Sequence, residues 1–126
     1  MTRDYLTRGD ILAIHADQIA TYGGAAGIRD PGQLDAALFR PQTGYYADAI
    51  AEAAALWESL SQNHPFVDGK KRTAFAAMFT FLAINGVEIT ADADRAWAFV
   101  SRLYREGGLE FTALDAWLRD NTTPRK

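Results

Sequence analysis

Helical periodicity runs through almost the whole chain and constrains its fold more than any other feature. Apolar residues recur every three to four positions, alanine is abundant, and alternating β-branched residues are nearly absent. This pattern predicts an all-α protein of about six helices. The stretch 74–84 is apolar except for Thr80, so a helix over residues 70–85 is predicted to be the buried central helix.

Capping residues and glycine or proline breaks set the predicted boundaries. Thr7 and Asp10 resemble a capping box, and Asp30 precedes a proline at the first position of a helix. Val87 begins a short extended segment that ends at residue 90, and the tail 122–126 is predicted to fray. The predicted helices cover residues 8–21, 31–39, 48–63, 70–85, 92–106 and 112–120.

Length and composition exclude several classes of protein. A chain of 126 residues without a separating linker predicts a single domain, residues 1–126. The absence of cysteine excludes disulfides, thiol nucleophiles and metal sites that use sulfur. The net charge of −3 argues against direct nucleic-acid and membrane partners, and the apolar run is too short to span a bilayer. A cytoplasmic location is therefore expected.

The residues that open the apolar helix are the ones that carry chemistry. Residues 64–73 read His-Pro-Phe-Val-Asp-Gly-Lys-Lys-Arg-Thr. Lys70, Lys71 and Arg72 in a first helical turn oppose the helix dipole unless an anion is bound there. Gly69 lets the backbone approach phosphate oxygens closely. The conflict with the dipole therefore predicts a phosphate site at this helix N-terminus.

The neighbouring residues of the loop suit phosphate chemistry. Asp68 is an oxygen ligand of the kind that magnesium accepts beside substrate phosphates. His64 titrates in the range of a general base, and Phe66 is predicted to point inward and anchor the loop. An ordinary solvated helix start is the alternative, and these residues alone leave both interpretations open.

The same residues resemble a known family. HPFVDGKKR is similar to the Fic/Doc signature, and the match extends upstream through ILAIHADQIATYGGAAGIRDPGQLDAALFRPQ and downstream through RTAFAAMFTFLAINGVEI. The resemblance covers roughly residues 8–120 and is strongest to the Doc toxins. It implies an all-α Fic fold in which the hydroxyl of a target protein receives part of a nucleotide.

The resemblance also assigns roles to the loop. His64 would deprotonate the acceptor hydroxyl, and Asp68 would hold Mg²⁺. Gly69, Lys71 and Arg72 would bind the phosphates of ATP. Doc toxins phosphorylate elongation factor Tu and stop translation, whereas most Fic proteins transfer AMP. The expected activity is therefore phosphoryl transfer to a protein, with AMP transfer as the alternative.

Two positions distinguish the members of this family. AMP-transferring members have glycine where this chain has Lys71, which favours the Doc-like kinase. Lys70 replaces the usual asparagine, so a catalytically weakened nucleotide-binding module is a second alternative. DNA binding through the three adjacent cations is a third, weaker alternative, because three cations on an acidic chain would contact few DNA phosphates.

Residues outside the loop also bear on function. His15 lies on the apolar stripe of the first helix, either as a hydrogen-bonded core residue or as a support for the site. Tyr45 and Tyr46 match the Fic flap and would either grip an extended target segment or cover the core. Ser101 and Glu106 have the wrong spacing for the inhibitory helix of self-inhibited Fic proteins. We therefore expect a separate antitoxin that inhibits the chain in trans.

Overall fold

The computed structural model describes residues 3–63, 65–67 and 69–124. Within these ranges the prediction of an all-α fold with six helices is confirmed, and no helix there is long and apolar enough to cross a membrane. A short 3-10 helix, Arg40–Thr43, follows the second helix. The helices are α1 (Arg8–Tyr22), α2 (Pro31–Phe39), α3 (Ala49–Gln62), α4 (Lys70–Ile84), α5 (Ala93–Glu106) and α6 (Phe111–Asp120), and the strands are β1 (Val87–Ile89) and β2 (Thr122–Pro124).

Local caps explain why the helix starts were predictable. The Thr7 hydroxyl accepts a hydrogen bond from the Asp10 amide at 3.2 Å, and the Asp10 carboxylate accepts one from the Thr7 amide at 2.8 Å. Asp30 and Asp48 cap α2 and α3 in the same way, each accepting from the amide three residues later. Each cap satisfies a backbone N–H that the helix itself leaves unbonded.

The core lies where α4 and α6 pack against α3, and α1 packs against α4. Eleven of the fourteen residues of α3 are buried, which makes it the most enclosed helix in the described ranges. The predicted central helix, α4, buries the face that carries Ala74, Met78 and Leu82, while Phe79 and Ile84 are exposed. The centre is therefore shared between α3 and α4.

Trp57 joins four helices. It is fully buried on α3, and its ring contacts Phe75 of α4, Phe99 of α5 and Trp117 of α6 at centroid distances of 5.7, 6.2 and 5.8 Å. Trp97 and Trp117 are partly buried against the same core, as their helical spacing predicts.

The prediction of a frayed tail is wrong for residues 122–124. Thr122–Pro124 forms β2, which pairs antiparallel with β1, with Glu88 opposite Thr123. The Thr122 hydroxyl also donates to the Leu118 carbonyl at 2.7 Å. This pairing joins segments more than thirty residues apart, so no local pattern in the tail could indicate it.

Candidate functional site

The motif loop is described except for its two most reactive residues. His64 and Asp68, the predicted general base and magnesium ligand, lie outside the described residues, and their roles stay predictions. Pro65 to Val67 and Gly69 onward are described, and they define the surroundings of the site.

Backbone pairing holds the motif loop against the connector between α1 and α2. Phe66 forms an antiparallel bridge with Ile28. The amide of Arg29 donates to the Pro65 carbonyl at 2.8 Å, and the amide of Val67 donates to the Gly27 carbonyl at 3.2 Å. These hydrogen bonds hold the residues on both sides of Phe66, so the loop that carries the motif has a defined position.

His15 supports this loop from α1. Its ring stacks on the ring of Phe66, with centroids 4.0 Å apart and planes 8° apart. Both side chains are buried, with relative exposures of 4% for His15 and 3% for Phe66. His15 is therefore a buried core histidine that also supports the motif loop.

Gly69 is required by both its conformation and its contacts. It precedes α4 as the N-cap residue with φ 76° and ψ 15°, a left-handed conformation that favours glycine. A Cβ at this position would lie 3.0 Å from Ile19 Cδ1 and 3.7 Å from His15 Nε2. The turn into α4 therefore packs directly on α1, and a side chain here would combine an unfavourable left-handed backbone with a tight contact that Ile19 would have to relieve.

A cavity of about 340 Å³ lies at the N-terminus of α4. The structure brings four of the predicted site residues, Gly69, Lys70, Lys71 and Arg72, together with Phe66 around it. Among the described residues that line it there is no carboxylate. The complete described lining is Arg29, Phe66, Val67, Gly69, Lys70, Lys71 and Arg72. Below, this cavity is called the anion pocket.

Arg29 is a charged residue of this lining that the sequence did not indicate. It lies in the α1–α2 connector, about forty residues before Lys70, and the pairing with Pro65 brings it to the pocket. Its neighbours Asp30 and Pro31 gave a capping signal for α2, but no local pattern pointed from Arg29 to the motif loop.

The environment of Lys70 disfavours its charge. Partial burial, together with the charges of Lys71 and Arg29, lowers the pKa of the Lys70 ammonium. A bound anion would reverse this balance, because each of these cations would then gain an opposite charge.

The other two motif cations are held by aromatic side chains. Lys71 Nζ lies 4.4 Å from the centroid of the Tyr104 ring. The Arg72 guanidinium lies over the Tyr22 ring at 5.1 Å, and its Nη2 donates to the Gly23 carbonyl at 3.2 Å. Arg72 Nε is buried and has no hydrogen-bond partner among the described residues. Arg72 is thus anchored to the C-terminal end of α1, where a cation is favoured, and retains an unused donor.

The structure does not bring the predicted flap residues to the anion pocket. Tyr46 accepts a hydrogen bond from Arg40 at 2.7 Å and packs on Phe111, with ring centroids 5.5 Å apart. Tyr45 is 84% exposed and touches the edge of the Tyr46 ring. Tyr46 therefore covers part of the core, whereas the ring of Tyr45 is exposed.

A magnesium ion at this site would need Asp68, its predicted ligand. Within the described residues no three side chains of His, Asp or Glu lie together in a way that could hold a metal. The pocket suits the phosphates of a nucleotide, and one carboxylate beside them is a common arrangement for magnesium. The fit to Mg²⁺ therefore rests on one predicted ligand and the bound phosphates.

Comparison with known proteins agrees with the geometry. Residues 5–82 match the Fic/DOC family. The chain is 53% identical over 96 residues to Toxin Doc of Mycolicibacterium smegmatis, which covers 72% of each chain. It is 30% identical over 89 residues to Protein kinase doc of Escherichia phage P1, which covers 68% of this chain and 71% of that protein. This chain therefore belongs to the Fic/DOC family.

Proposed function

We propose that this chain is a Doc-type toxin that transfers a phosphoryl group from Mg-ATP to a hydroxyl of a target protein. The observation that carries the proposal is the anion pocket, where Gly69, Lys70, Lys71 and Arg72 converge at the N-terminus of α4. The names of the two relatives, a toxin and a protein kinase, support the same activity.

The reaction we propose is an in-line displacement. The hydroxyl oxygen of the target attacks the γ-phosphorus of ATP, the bond from that phosphorus to the bridging oxygen breaks, and ADP leaves. The proton of the hydroxyl passes to the imidazole of His64. Lys71 and Arg72 neutralise charge on the phosphates and orient them, and Asp68 would hold Mg²⁺, which supplies further neutralisation when bound.

Intact-mass measurement of a target protein tests this chemistry. Elongation factor Tu is the first target to incubate with the chain and Mg-ATP, because the resembling toxins act on it. Addition of one phosphate supports the proposal, whereas addition of AMP would show attack on the α-phosphorus with pyrophosphate leaving. ATP binding without modification of any target would favour the non-catalytic module.

A His64→Ala variant is the matched control for the base. Loss of a positioned general base lowers rates by about 10²–10⁴-fold, while nucleotide binding should persist. A transfer rate equal to that of the parent would remove His64 from the mechanism.

Growth of cells that express the chain tests the toxin function. Expression of the chain alone in the cytoplasm should arrest cell growth, and co-expression of a separate antitoxin should relieve the arrest. Normal growth with folded, nucleotide-binding protein present would contradict the toxin function.

A further inference from the structure

Lys71 lies where the anion pocket meets a second cavity. It lines the anion pocket and also a cavity of about 270 Å³ whose other described lining residues all belong to α5. Lys71 is exposed, and a lysine stem in solvent populates many rotamers. Each rotamer lost on binding costs free energy, so a contact that restricts the ammonium beforehand favours phosphate binding.

Tyr104 supplies such a contact from α5. Lys71 Nζ lies 4.4 Å from the centroid of the Tyr104 ring, within the distance of about 6 Å at which an aromatic face attracts a cation. Lys71 lines the anion pocket in the same conformation in which its ammonium contacts this ring. The ring therefore restricts Lys71 without drawing it away from the pocket.

The Tyr104 ring is itself held at both ends. Its hydroxyl oxygen is buried, and Tyr104 lines a cavity of about 240 Å³ together with Ser61 of α3. At the backbone end, the neighbouring residues Val100 and Leu103 of α5 are buried in the core. Because the core fixes the ring, the ring can fix the position of the ammonium that rests on it.

We propose that Tyr104 is a positioning residue that holds the Lys71 ammonium at the wall of the anion pocket before the nucleotide binds. This role rests on the proposed function, because it concerns the nucleotide site of the same reaction. Tyr104 lies beyond residues 5–82, which match the Fic/DOC family, so α5 brings to the site a contact that the motif does not contain. Tyr104 would act through Lys71 and not on the phosphates themselves.

Calorimetric titration of the whole chain with Mg-ATP tests this role. Tyr104→Leu should weaken binding about two- to fivefold, the range for an exposed contact between a cation and a ring, with the number of binding sites per chain unchanged. Tyr104→Phe is the matched control, because it removes only the hydroxyl, and its affinity should stay within about 1.5-fold of that of the parent. A merely structural role would instead lower the number of binding sites and leave the affinity unchanged.

A Lys71→Met background shows whether Tyr104 acts through Lys71. In this background Tyr104→Leu should cause no further loss of affinity, because the cation that the ring holds is absent. In nuclear magnetic resonance spectra, the ε-methylene protons of Lys71 should show an upfield ring-current shift in the parent and in Tyr104→Phe, and Tyr104→Leu should lose it.

An affinity in Tyr104→Leu equal to or higher than that of the parent would overturn the role of Tyr104. So would an equal loss in Tyr104→Phe, an equal loss in the Lys71→Met background, or a parent without the upfield shift. All of these outcomes leave the proposed function intact. A parent that binds no Mg-ATP would overturn the proposed function, and the role of Tyr104 with it.

Discussion

Lys70 differs from the other two motif cations in its surroundings. Lys71 lies over Tyr104, and Arg72 lies over Tyr22 and donates to a carbonyl. Lys70 is partly buried near two like charges, which lowers its pKa. This residue also stands where the family usually has asparagine. The Lys70→Asn variant therefore measures separately how the charge affects stability without ligand and how it affects ATP binding.

Lys70→Asn should stabilise the chain without ligand and weaken ATP binding. Removal of one badly placed cation at a helix N-terminus should raise the free energy of unfolding by about 0.3 kcal/mol. If Lys70 contacts phosphate, ATP binding should weaken and depend less steeply on salt concentration. Urea unfolding and calorimetry at two salt concentrations measure these effects. Tighter ATP binding together with faster transfer would instead show that Lys70 impairs the site.

Asp48 gives a pH-dependent prediction at the same scale. Hydrogen bonds from Arg119, at 3.0 and 3.1 Å, and from the Ala51 amide lower the pKa of the Asp48 carboxyl. A lowered pKa stabilises the folded state above the ordinary value of about 4, and this stability is lost as the pH falls through the folded-state pKa.

Asp48→Asn should therefore destabilise the chain by about 0.5–1 kcal/mol near pH 7, since this pair is partly exposed, while an asparagine oxygen can still cap α3. The difference from the parent should shrink as the pH falls toward 3. Urea unfolding at a series of pH values measures it, with Asp94→Asn, an exposed aspartate in the first turn of α5, as a comparison. A pH-independent difference would contradict the assigned cause.

At the scale of elements, the site is assembled where α1, the α1–α2 connector and the N-terminus of α4 meet. α1 supplies His15 beneath Phe66, and its C-terminal end holds Arg72. The connector pairs with residues 65–67. Because three separate segments fix the loop, changes on α1 should alter nucleotide binding without touching the motif.

Tyr22→Leu should test the link between α1 and α4. The leucine retains apolar bulk but removes the ring on which the Arg72 guanidinium rests, an interaction of about 0.5–1 kcal/mol at an exposed site. We expect ATP binding to weaken roughly two- to fivefold, because Arg72 is then less well positioned. Tyr45→Leu, at an exposed tyrosine away from the pocket, should leave ATP binding unchanged. Equal affinity in Tyr22→Leu and the parent would show that the ring does not position Arg72.

At the scale of the whole molecule, α3 and its tryptophan hold the helices together. Trp57 contacts aromatic rings on α4, α5 and α6, and Phe99 stacks on Trp117 at a centroid distance of 5.0 Å. The anion pocket lies at one end of α4, whose buried face packs on α3. Stability of this core is therefore a condition for an ordered site.

Trp57→Ala should destabilise the chain by about 3–5 kcal/mol, because it removes a large buried side chain and leaves a cavity among four helices. Tyr45→Ala, at a side chain that is 84% exposed, should change the free energy of unfolding by less than about 0.5 kcal/mol. Urea unfolding followed by circular dichroism compares the two variants. A similar loss in both would contradict the central position of Trp57.

The helices were predictable along the chain, because the signals for them are local. Periodicity placed α1 to α6, and the cap signals at Thr7 and Asp30 marked the starts of α1 and α2. The motif, together with the family resemblance, likewise indicated which residues would gather at the N-terminus of α4. These features depend on residues only a few positions apart, so they can be read along the chain.

The way in which distant segments meet follows from the packing of the folded chain. The pairing of β1 with β2, the stacking of His15 on Phe66 and the approach of Arg29 to Lys70 join segments separated by about thirty to fifty residues. Tyr45 and Tyr46, which are adjacent in the chain, are separated by packing into one exposed and one partly buried ring. Such contacts depend on how whole helices pack, and helix packing is governed by the combined burial of many side chains rather than by any local pattern.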